Sequence, residues 1–263
     1  EYGTIEMLSV IASFLGAVLV MGLDSAQSFY FYERREMGRT AQAELVSSIL
    51  QWRLTWGAGI VDIGTISAPL LNTMFFDGKL GWEQFAVAFA GVFFTQLMSQ
   101  GVEVFRLLYR PWPYVLITAA QSLGAAGLML LLILYFDQGI FGYFFGALLS
   151  SLVMTVVVWY LVRDYLDFSR LHSNWWGRLM RFGAPLLPGG MSMYVITASD
   201  RWFIQHYQGE TELGIYALAA KFALLAALGI ETFRRAWWPI AMDAMHSPDG
   251  PELFRTIARM FMG

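Results

Sequence analysis

The sequence predicts an all-α integral membrane protein, a polytopic helix bundle with about seven spans in this chain. Of its 263 residues, 57% are hydrophobic and 14% are charged, whereas a soluble domain carries about 25% charged residues. Apolar runs recur along nearly the whole chain, and each is long enough to cross a hydrocarbon layer of about 30 Å. Basic residues are concentrated in alternate connections between these runs, as expected of helices that cross a membrane back and forth.

The apolar runs place seven spans, at residues 5–23, 54–76, 85–105, 113–136, 140–162, 182–203 and 214–237, with the start of a further helix at 252–262. The connections after spans one, three, five and seven carry arginines, whereas those after spans two, four and six carry Lys79 as their one basic residue. By the positive-inside tendency the arginine-bearing connections face the cytoplasm, so the chain begins outside. The connection at 164–181 is basic and contains Trp175 and Trp176, which predicts an amphipathic helix on the inner membrane surface.

Several functional classes are disfavoured by what the sequence lacks. Cysteine is absent, so disulfides, thiolate metal sites and cysteine nucleophiles are excluded. The three histidines, His172, His206 and His246, are scattered with no second histidine one turn away, and no metal site is expected. The sequence contains no glycine-rich phosphate loop and no nucleophile elbow. We therefore expect no cofactor, no nucleic-acid partner and no enzyme activity.

Asp62 is the deepest acidic residue of the predicted spans. It lies nine residues into the span at 54–76, about 13 Å from its start at 1.5 Å per residue. An intramembrane carboxylate suggests ion coupling, a proton relay or a partner for a cavity arginine. The structural alternative is an Asp that hydrogen-bonds a neighbouring helix.

Asp200 and Arg201 are adjacent near the end of the span at 182–203. On a helix they point about 100° apart, so each needs a different partner. They are either a gating pair or two anchors at the outer surface. Pro185 and Pro188 open the same span. Pro185 belongs to a first turn, whereas Pro188, followed by two glycines, predicts either a bend used in a conformational change or a tolerated kink.

The segment at 182–221 carries the most specific pattern in the chain. Gly183-x-Pro185-x-x-Pro188 opens an apolar run, Asp200-Arg201 closes it, and Gly214-Ile215-Tyr216 opens the next. This order resembles the polysaccharide (O-antigen and exopolysaccharide) flippases of the multidrug/oligosaccharidyl-lipid/polysaccharide exporter superfamily. In that family the seventh helix opens with G-x-P-x-x-P and ends in D-R, and the eighth begins with G-I-Y.

The resemblance implies a two-lobe transporter of 12–14 helices, of which this chain is a fragment without the first helix. Residues 1–163 would then form most of the N-terminal lobe, 164–181 the connection between lobes, and 182–263 the start of the C-terminal lobe. Such a protein is expected in the inner (cytoplasmic) membrane. Its partners would be a lipid-linked oligosaccharide, the bilayer, and a polysaccharide polymerase with its chain-length machinery.

The implied function is flipping of a polyprenyl-pyrophosphate-linked oligosaccharide by alternating access, for surface polysaccharide such as lipopolysaccharide. Cations in a hydrated cavity offset the charge of a diphosphate, which makes Arg201, Lys221 and Arg53 the candidate substrate-binding residues. Asp62, Asp200, Pro185 and Pro188 are the candidates for coupling or gating. The alternative interpretation of Arg53 is an arginine whose side chain snorkels to the inner membrane interface.

Three rival interpretations remain. A cation-coupled drug exporter of the same superfamily predicts a cavity lined by acids. A membrane enzyme that polymerises lipid-linked glycans predicts a long outer loop with catalytic residues, and the outer loops here are short. The chain as printed, without the rest of a transporter, would also be inactive alone.

Overall fold

The computed structural model describes residues 2–34, 37–167, 169, 173–223, 255–256 and 259, and these residues form helices joined by short connections. Four described helices are long and apolar enough to cross a membrane, or up to five if a bent helix pair is one span. The predicted all-α polytopic fold is confirmed, although this count is lower than the predicted seven. We call the end that carries Arg106 and Arg163 the inner end and the end that carries Lys79 the outer end.

The first span is longer than predicted and continues into a second helix. Helix α1 covers Tyr2–Val20 and α2 covers Leu23–Glu33. Between them Met21 and Gly22 have φ values of 50° and 69°, a left-handed conformation that breaks the helix. The residues of α2 were predicted to be a polar connection. They are helical because Leu23 and Phe31 are buried in the inner end of the bundle.

The second span begins well before the predicted residue 54. Helix α3 covers Arg39–Ile66 and α4 covers Ala68–Phe75, and the two are bent by 53°. The early turns of α3 bury polar side chains such as Gln42, Ser47 and Ser48, so no apolar run marks its start. Pro69 lies in the first turn of α4. Because proline has no N–H to donate to the preceding turn, it accounts for the break.

The next three spans agree closely with the prediction. Helices α5, α6 and α7 cover Trp82–Leu107, Pro111–Leu134 and Gly139–Leu161. Helix α5 packs against α1, α3, α6 and α7 and is the centre of the bundle formed by α1–α7, which we call the N-terminal bundle. The Gly142-x-x-x-Gly146 pattern serves packing within this bundle. A Cβ added at Gly146 would lie 2.6 Å from the backbone nitrogen of Met129 on α6.

The predicted amphipathic connection is helical, but its apolar side is buried in protein. After 3₁₀ turns at Arg163–Tyr165 and Ser173–Trp175, helix α8 covers Trp176–Gly183. Leu179 is completely buried among residues of the N-terminal bundle, and α8 packs against α2 and α3. Arg178 and Arg181 are exposed on the opposite side. The apolar face of α8 is therefore taken up by the bundle and is not free to enter the membrane surface.

Two further helices follow, which we call the C-terminal pair. A 3₁₀ turn at Ala184–Leu186 leads into α9 at Leu187–Gln208, and α10 is the helix whose described part covers 210–223. Helix α9 is long enough to span a membrane but is too polar to be counted among the candidates, since it contains Asp200 and Arg201. The remainder of the predicted span at 214–237 and most of the helix at 252–262 lie outside the described residues.

The close contact between α6 and α7 yields a stability prediction. Gly146→Ala forces a methyl group into the α6 backbone, and overpacking of this kind costs about 1–3 kcal/mol. We expect a lower thermal midpoint for the purified full-length protein in detergent. The matched control is Gly127→Ala on α6, where an added Cβ meets nothing within 4 Å. An equal loss of stability in both variants would contradict the packing role of Gly146.

Candidate functional site

Arg201 and Lys221 converge on one carboxylate of the N-terminal bundle. The Nε of Arg201 on α9 donates to Oε1 of Glu6 on α1 at 3.0 Å. The Nζ of Lys221 on α10 lies 3.9 Å from the other oxygen, Oε2. The side chains of Arg201 and Glu6 are only 15% and 13% exposed. Two of the three predicted substrate-binding cations therefore share one site between the N-terminal bundle and the C-terminal pair.

Aromatic hydroxyls complete this cluster. The Nζ of Lys221 donates to the hydroxyl oxygen of Tyr2 and lies 4.8 Å from the centre of its ring. Tyr143 on α7 is close enough to interact electrostatically with both Lys221 and Glu6. Tyr2 and Glu6 are four residues apart on α1, so they share one face of that helix. The site is thus formed by α1, α7, α9 and α10.

Asp200 and Arg201 use different partners, as their spacing predicts. Asp200 Oδ2 accepts a hydrogen bond from the hydroxyl of Tyr216 on α10, and its Oδ1 accepts the backbone N–H of Arg201 at 2.8 Å. The two acids and two bases Glu6, Asp200, Arg201 and Lys221 have charges that cancel. The cluster is neither the strongly positive cavity expected for a diphosphate carrier nor the acid-lined cavity expected for a drug exporter.

Other polar contacts join the two helix groups at the outer end. Lys79 forms an ion pair with Glu210 at 2.8 Å, and the hydroxyl of Thr4 donates to the same carboxylate at 3.3 Å. The amide of Gln205 donates to the carbonyl oxygen of Phe75 at 3.0 Å. The outer end of the bundle is therefore closed by contacts between α1, the α4–α5 connection and the C-terminal pair.

An apolar groove of about 460 Å³ lies beside the charged cluster. It runs between α1, α4 and α9, and its lining includes Met7, Phe14, Leu71, Phe75 and Trp202. Met7 is next to Glu6 in the chain, and Trp202 is next to Arg201. Hydrocarbon-like surface and paired charges are thus adjacent.

Arg53 lies inside the N-terminal bundle. Its side chain is 3% exposed and forms an ion pair with Asp24, and its Nη1 donates to the carbonyl oxygen of Gln96 at 2.8 Å. Asp24 also borders a polar cavity of about 310 Å³ at the inner end, between α2, α5 and α6. Arg53 is not brought together with Arg201 and Lys221. The structure gives it a bundle-internal partner, which accounts for its charge without a substrate.

The depth argument for Asp62 does not hold, because it assumed a helix that begins at residue 54. Helix α3 begins at Arg39 and ends at Ile66, so Asp62 lies one turn before the bend into α4. Its side chain is exposed, and within the described ranges no hydrogen bond or ion pair to it is found. The alternative of an Asp hydrogen-bonded to a neighbouring helix is therefore not observed there.

Pro185 and Pro188 both lie at the start of α9. Pro185 is in the 3₁₀ turn and Pro188 is in the first turn of the α-helix, where a missing N–H leaves no bond unmade. The expectation that Pro188 bends the span from within is wrong. The change in helix geometry occurs before it, at Ala184–Leu186.

Glu6 is the functional candidate that the sequence interpretation missed. It is an acid near the start of an apolar run, which suggests a residue at the membrane surface. Its partners are 195 and 215 residues away in the chain, and no local pattern reports such contacts. As for metals, no group of three or more His, Asp or Glu side chains able to hold an ion occurs in the described part of the chain.

Fold and site together define an all-α, multi-pass membrane protein with a charged cluster between its helices. The family model described as "Polysaccharide biosynthesis protein" matches residues 1–245, and the chain belongs to this family. It is also similar to "Lsg locus putative protein 1" of Haemophilus influenzae (strain ATCC 51907 / DSM 11121 / KW20 / Rd), with 24% identity over 157 residues, which is 58% of this chain and 39% of that protein. No solved structure matches the chain.

The pairing of Arg53 with Asp24 predicts a specific stability pattern. Asp24→Asn leaves a guanidinium buried without a counter-charge. Breaking a fully buried pair costs about 3–5 kcal/mol, and we expect roughly 2–3 kcal/mol because water reaches the partly exposed Asp24. Adding Arg53→Met removes the orphaned charge and should recover most of the loss. Thermal unfolding of the single and double variants measures this, with Asp62→Asn as a control that leaves the midpoint unchanged.

The outer ion pair predicts a pH dependence. The hydrogen bond from Lys79 holds the pKa of Glu210 below its usual value of 4.5. A carboxylate whose pKa is lower in the folded protein stabilises it above the unfolded pKa and loses this effect as pH falls through the folded value. The stability difference between the wild type and Glu210→Gln should therefore be present at pH 6 and disappear on acidification below the folded pKa. A difference that persists at low pH would argue against the pair.

Proposed function

We propose that this chain is part of a flippase, which carries a polyprenyl-pyrophosphate-linked oligosaccharide across the cytoplasmic membrane for surface polysaccharide synthesis. The observation that carries this proposal is the convergence of Arg201 and Lys221 on a single, nearly buried carboxylate. Membership of a polysaccharide biosynthesis family supports the substrate class. The matched part covers 39% of the Haemophilus influenzae relative, so this activity is proposed for the full-length protein.

Charge is the main obstacle to moving such a substrate. A diphosphate loses its hydration as it leaves water, and guanidinium and ammonium groups replace that hydration with charge-assisted hydrogen bonds. Arg201 and Lys221 are held on different helices, α9 and α10, so together they can contact an anion from two directions. The adjacent apolar groove offers surface suited to the hydrocarbon part of the same molecule.

The closed outer end supports an alternating-access mechanism. In this conformation α9 and α10 are joined to the N-terminal bundle through Glu6, Thr4, Phe75 and Lys79. At the start of α9, a Cβ added at Gly189 or Gly190 meets nothing within 4 Å. Release of the substrate at the outer surface would require the outer contacts to break.

The remaining assignments follow from this proposal. Residues 1–163 act as the N-terminal lobe, 164–181 as the connection and 182–263 as the start of the C-terminal lobe of a transporter, not an enzyme. Asp200 positions α9 against α10 through Tyr216, and Asp62, exposed near the α3 bend, remains the candidate for ion coupling. The partners are the lipid-linked oligosaccharide and, after flipping, the polymerase and chain-length proteins that use it.

Substitution of the two cations tests the proposal in cells. Arg201→Ala and Lys221→Ala in the full-length gene should each lower surface polysaccharide at least about tenfold, because each removes roughly 1.4 kcal/mol or more of interaction with the diphosphate. Surface glycan is measured by gel or lectin staining, and membrane levels of the protein by immunoblot.

The matched control is Arg181→Ala, which removes an exposed arginine of α8 outside the cluster and should leave glycan unchanged. Normal glycan in both cluster variants, with normal protein levels, would refute the assigned role of Arg201 and Lys221.

A further inference from the structure

Glu6 has the geometry of a bound anion. One of its oxygens accepts from Arg201 at 3.0 Å, and the other lies 3.9 Å from the ammonium of Lys221. Its side chain is 13% exposed. Charged oxygens shared between a guanidinium and an ammonium are also how phosphate groups are bound in proteins. The carboxylate of Glu6 therefore occupies the place that a phosphate would take between these cations.

Asp200 cannot substitute for Glu6 in this role. Its two oxygens accept hydrogen bonds from the Tyr216 hydroxyl and from the backbone N–H of Arg201. The Arg201 guanidinium and the Lys221 ammonium are instead directed toward Glu6. With Glu6 in place the cluster is neutral, and an incoming diphosphate would meet a carboxylate of the same charge. With Glu6 withdrawn, Arg201 and Lys221 lose this carboxylate, and an anion bound in its place would restore the lost interaction.

Glu6 and the cations belong to different helix groups. Glu6 lies on α1 of the N-terminal bundle, whereas Arg201 and Lys221 lie on the C-terminal pair. An anion that takes over the cations therefore also removes an ion pair that holds the two groups together. Leu213 of α10, which is fully buried among Met7, Leu8 and Phe85 of the bundle, marks the contact that would open as a result.

We infer that Glu6 is a resident anion that the diphosphate of the substrate displaces, and that this exchange couples substrate binding to separation of the helix groups at the outer end. The inference rests on the proposed function, because it takes Arg201 and Lys221 as the diphosphate contacts. It assigns to Glu6 a positioning role that has a specific consequence. Removal of the charge of Glu6 should increase the affinity for the ligand.

Binding measurements on the purified full-length protein in nanodiscs test whether the affinity rises when Glu6 loses its charge. The probes are inorganic pyrophosphate and farnesyl diphosphate, and their comparison separates recognition of the diphosphate from recognition of an attached isoprenyl chain. Glu6→Gln should bind both probes about tenfold more tightly than the wild type, within the range of 5–150-fold that is typical of coupled sites. Glu6→Asp, which keeps the charge, should stay close to the wild type, and Arg201→Gln should lose binding.

The control for charge alone is Glu83→Gln, which removes an exposed carboxylate at the outer end and should not change the affinity. A second measurement, thiol labelling, detects separation of α10 from the N-terminal bundle. The printed chain contains no cysteine, so Leu213→Cys introduces a single thiol into it at a buried contact. Labelling of this thiol by a membrane-impermeant maleimide should rise several-fold in Glu6→Gln and, with the wild-type Glu6, on addition of farnesyl diphosphate, as expected for coupled sites.

The outcomes separate the inference from the function on which it rests. Tighter binding by Glu6→Gln together with faster labelling supports the exchange. Binding by the wild type that is lost in Arg201→Gln but unchanged or weaker in Glu6→Gln overturns the role of Glu6 and leaves the proposed diphosphate site intact. Absence of binding in the wild type, Glu6→Gln and Glu6→Asp, with folding confirmed by thermal unfolding, overturns both.

Discussion

The ion pairs of Glu6 with Arg201 and Lys221 are the interaction on which the relation between the two helix groups depends. A membrane offers no water to stabilise a charged side chain, so these ion pairs lower the free-energy cost of placing Glu6, Arg201 and Lys221 there. Helix α9 shows the same constraint in its composition, since it is too polar to be recognised as a span. Its polar outer half is stabilised by Glu6 of α1 and by Tyr216 of α10, and these contacts fix its orientation.

The motifs at Asp200-Arg201 and Gly214-Ile215-Tyr216 meet in a single contact region. Tyr216 donates to Asp200, and a Cβ added at Gly214 would lie 3.6 Å from the backbone nitrogen of Gly3. Close approach of α1 and α10 at this point brings Lys221 to Tyr2 and Glu6. The order of the two motifs in the sequence therefore reflects one structural unit, in which a tyrosine orients the acid of the first motif while the arginine of that motif is directed toward the N-terminal bundle.

The sequence predicts the apolar parts of this fold well and its polar contacts poorly. Helices α5, α6 and α7 were placed closely because each is a continuous apolar run between turn residues. The start of α3 was missed because Gln42, Ser47 and Ser48 are buried there, so polarity did not indicate exposure. The structure brings Arg201 and Lys221 together at Glu6, a residue that the sequence does not single out because its partners are distant in the chain. Periodicity reports which face of a helix is apolar, and it carries no information on which distant charge lies opposite.

The attachment of α8 determines how the C-terminal pair can move. Leu179 is buried in the N-terminal bundle, and a Cβ added at Gly183 would lie 2.4 Å from the carbonyl oxygen of Met21, so the chain stays in backbone contact with the bundle up to that residue. Only the short turn at Ala184–Leu186 separates this anchored point from α9. A connection this short allows little translation of α9 relative to the N-terminal bundle. A displacement that parts Arg201 from Glu6 is therefore a rotation about a pivot near Gly183, with its largest amplitude at the far end of α9.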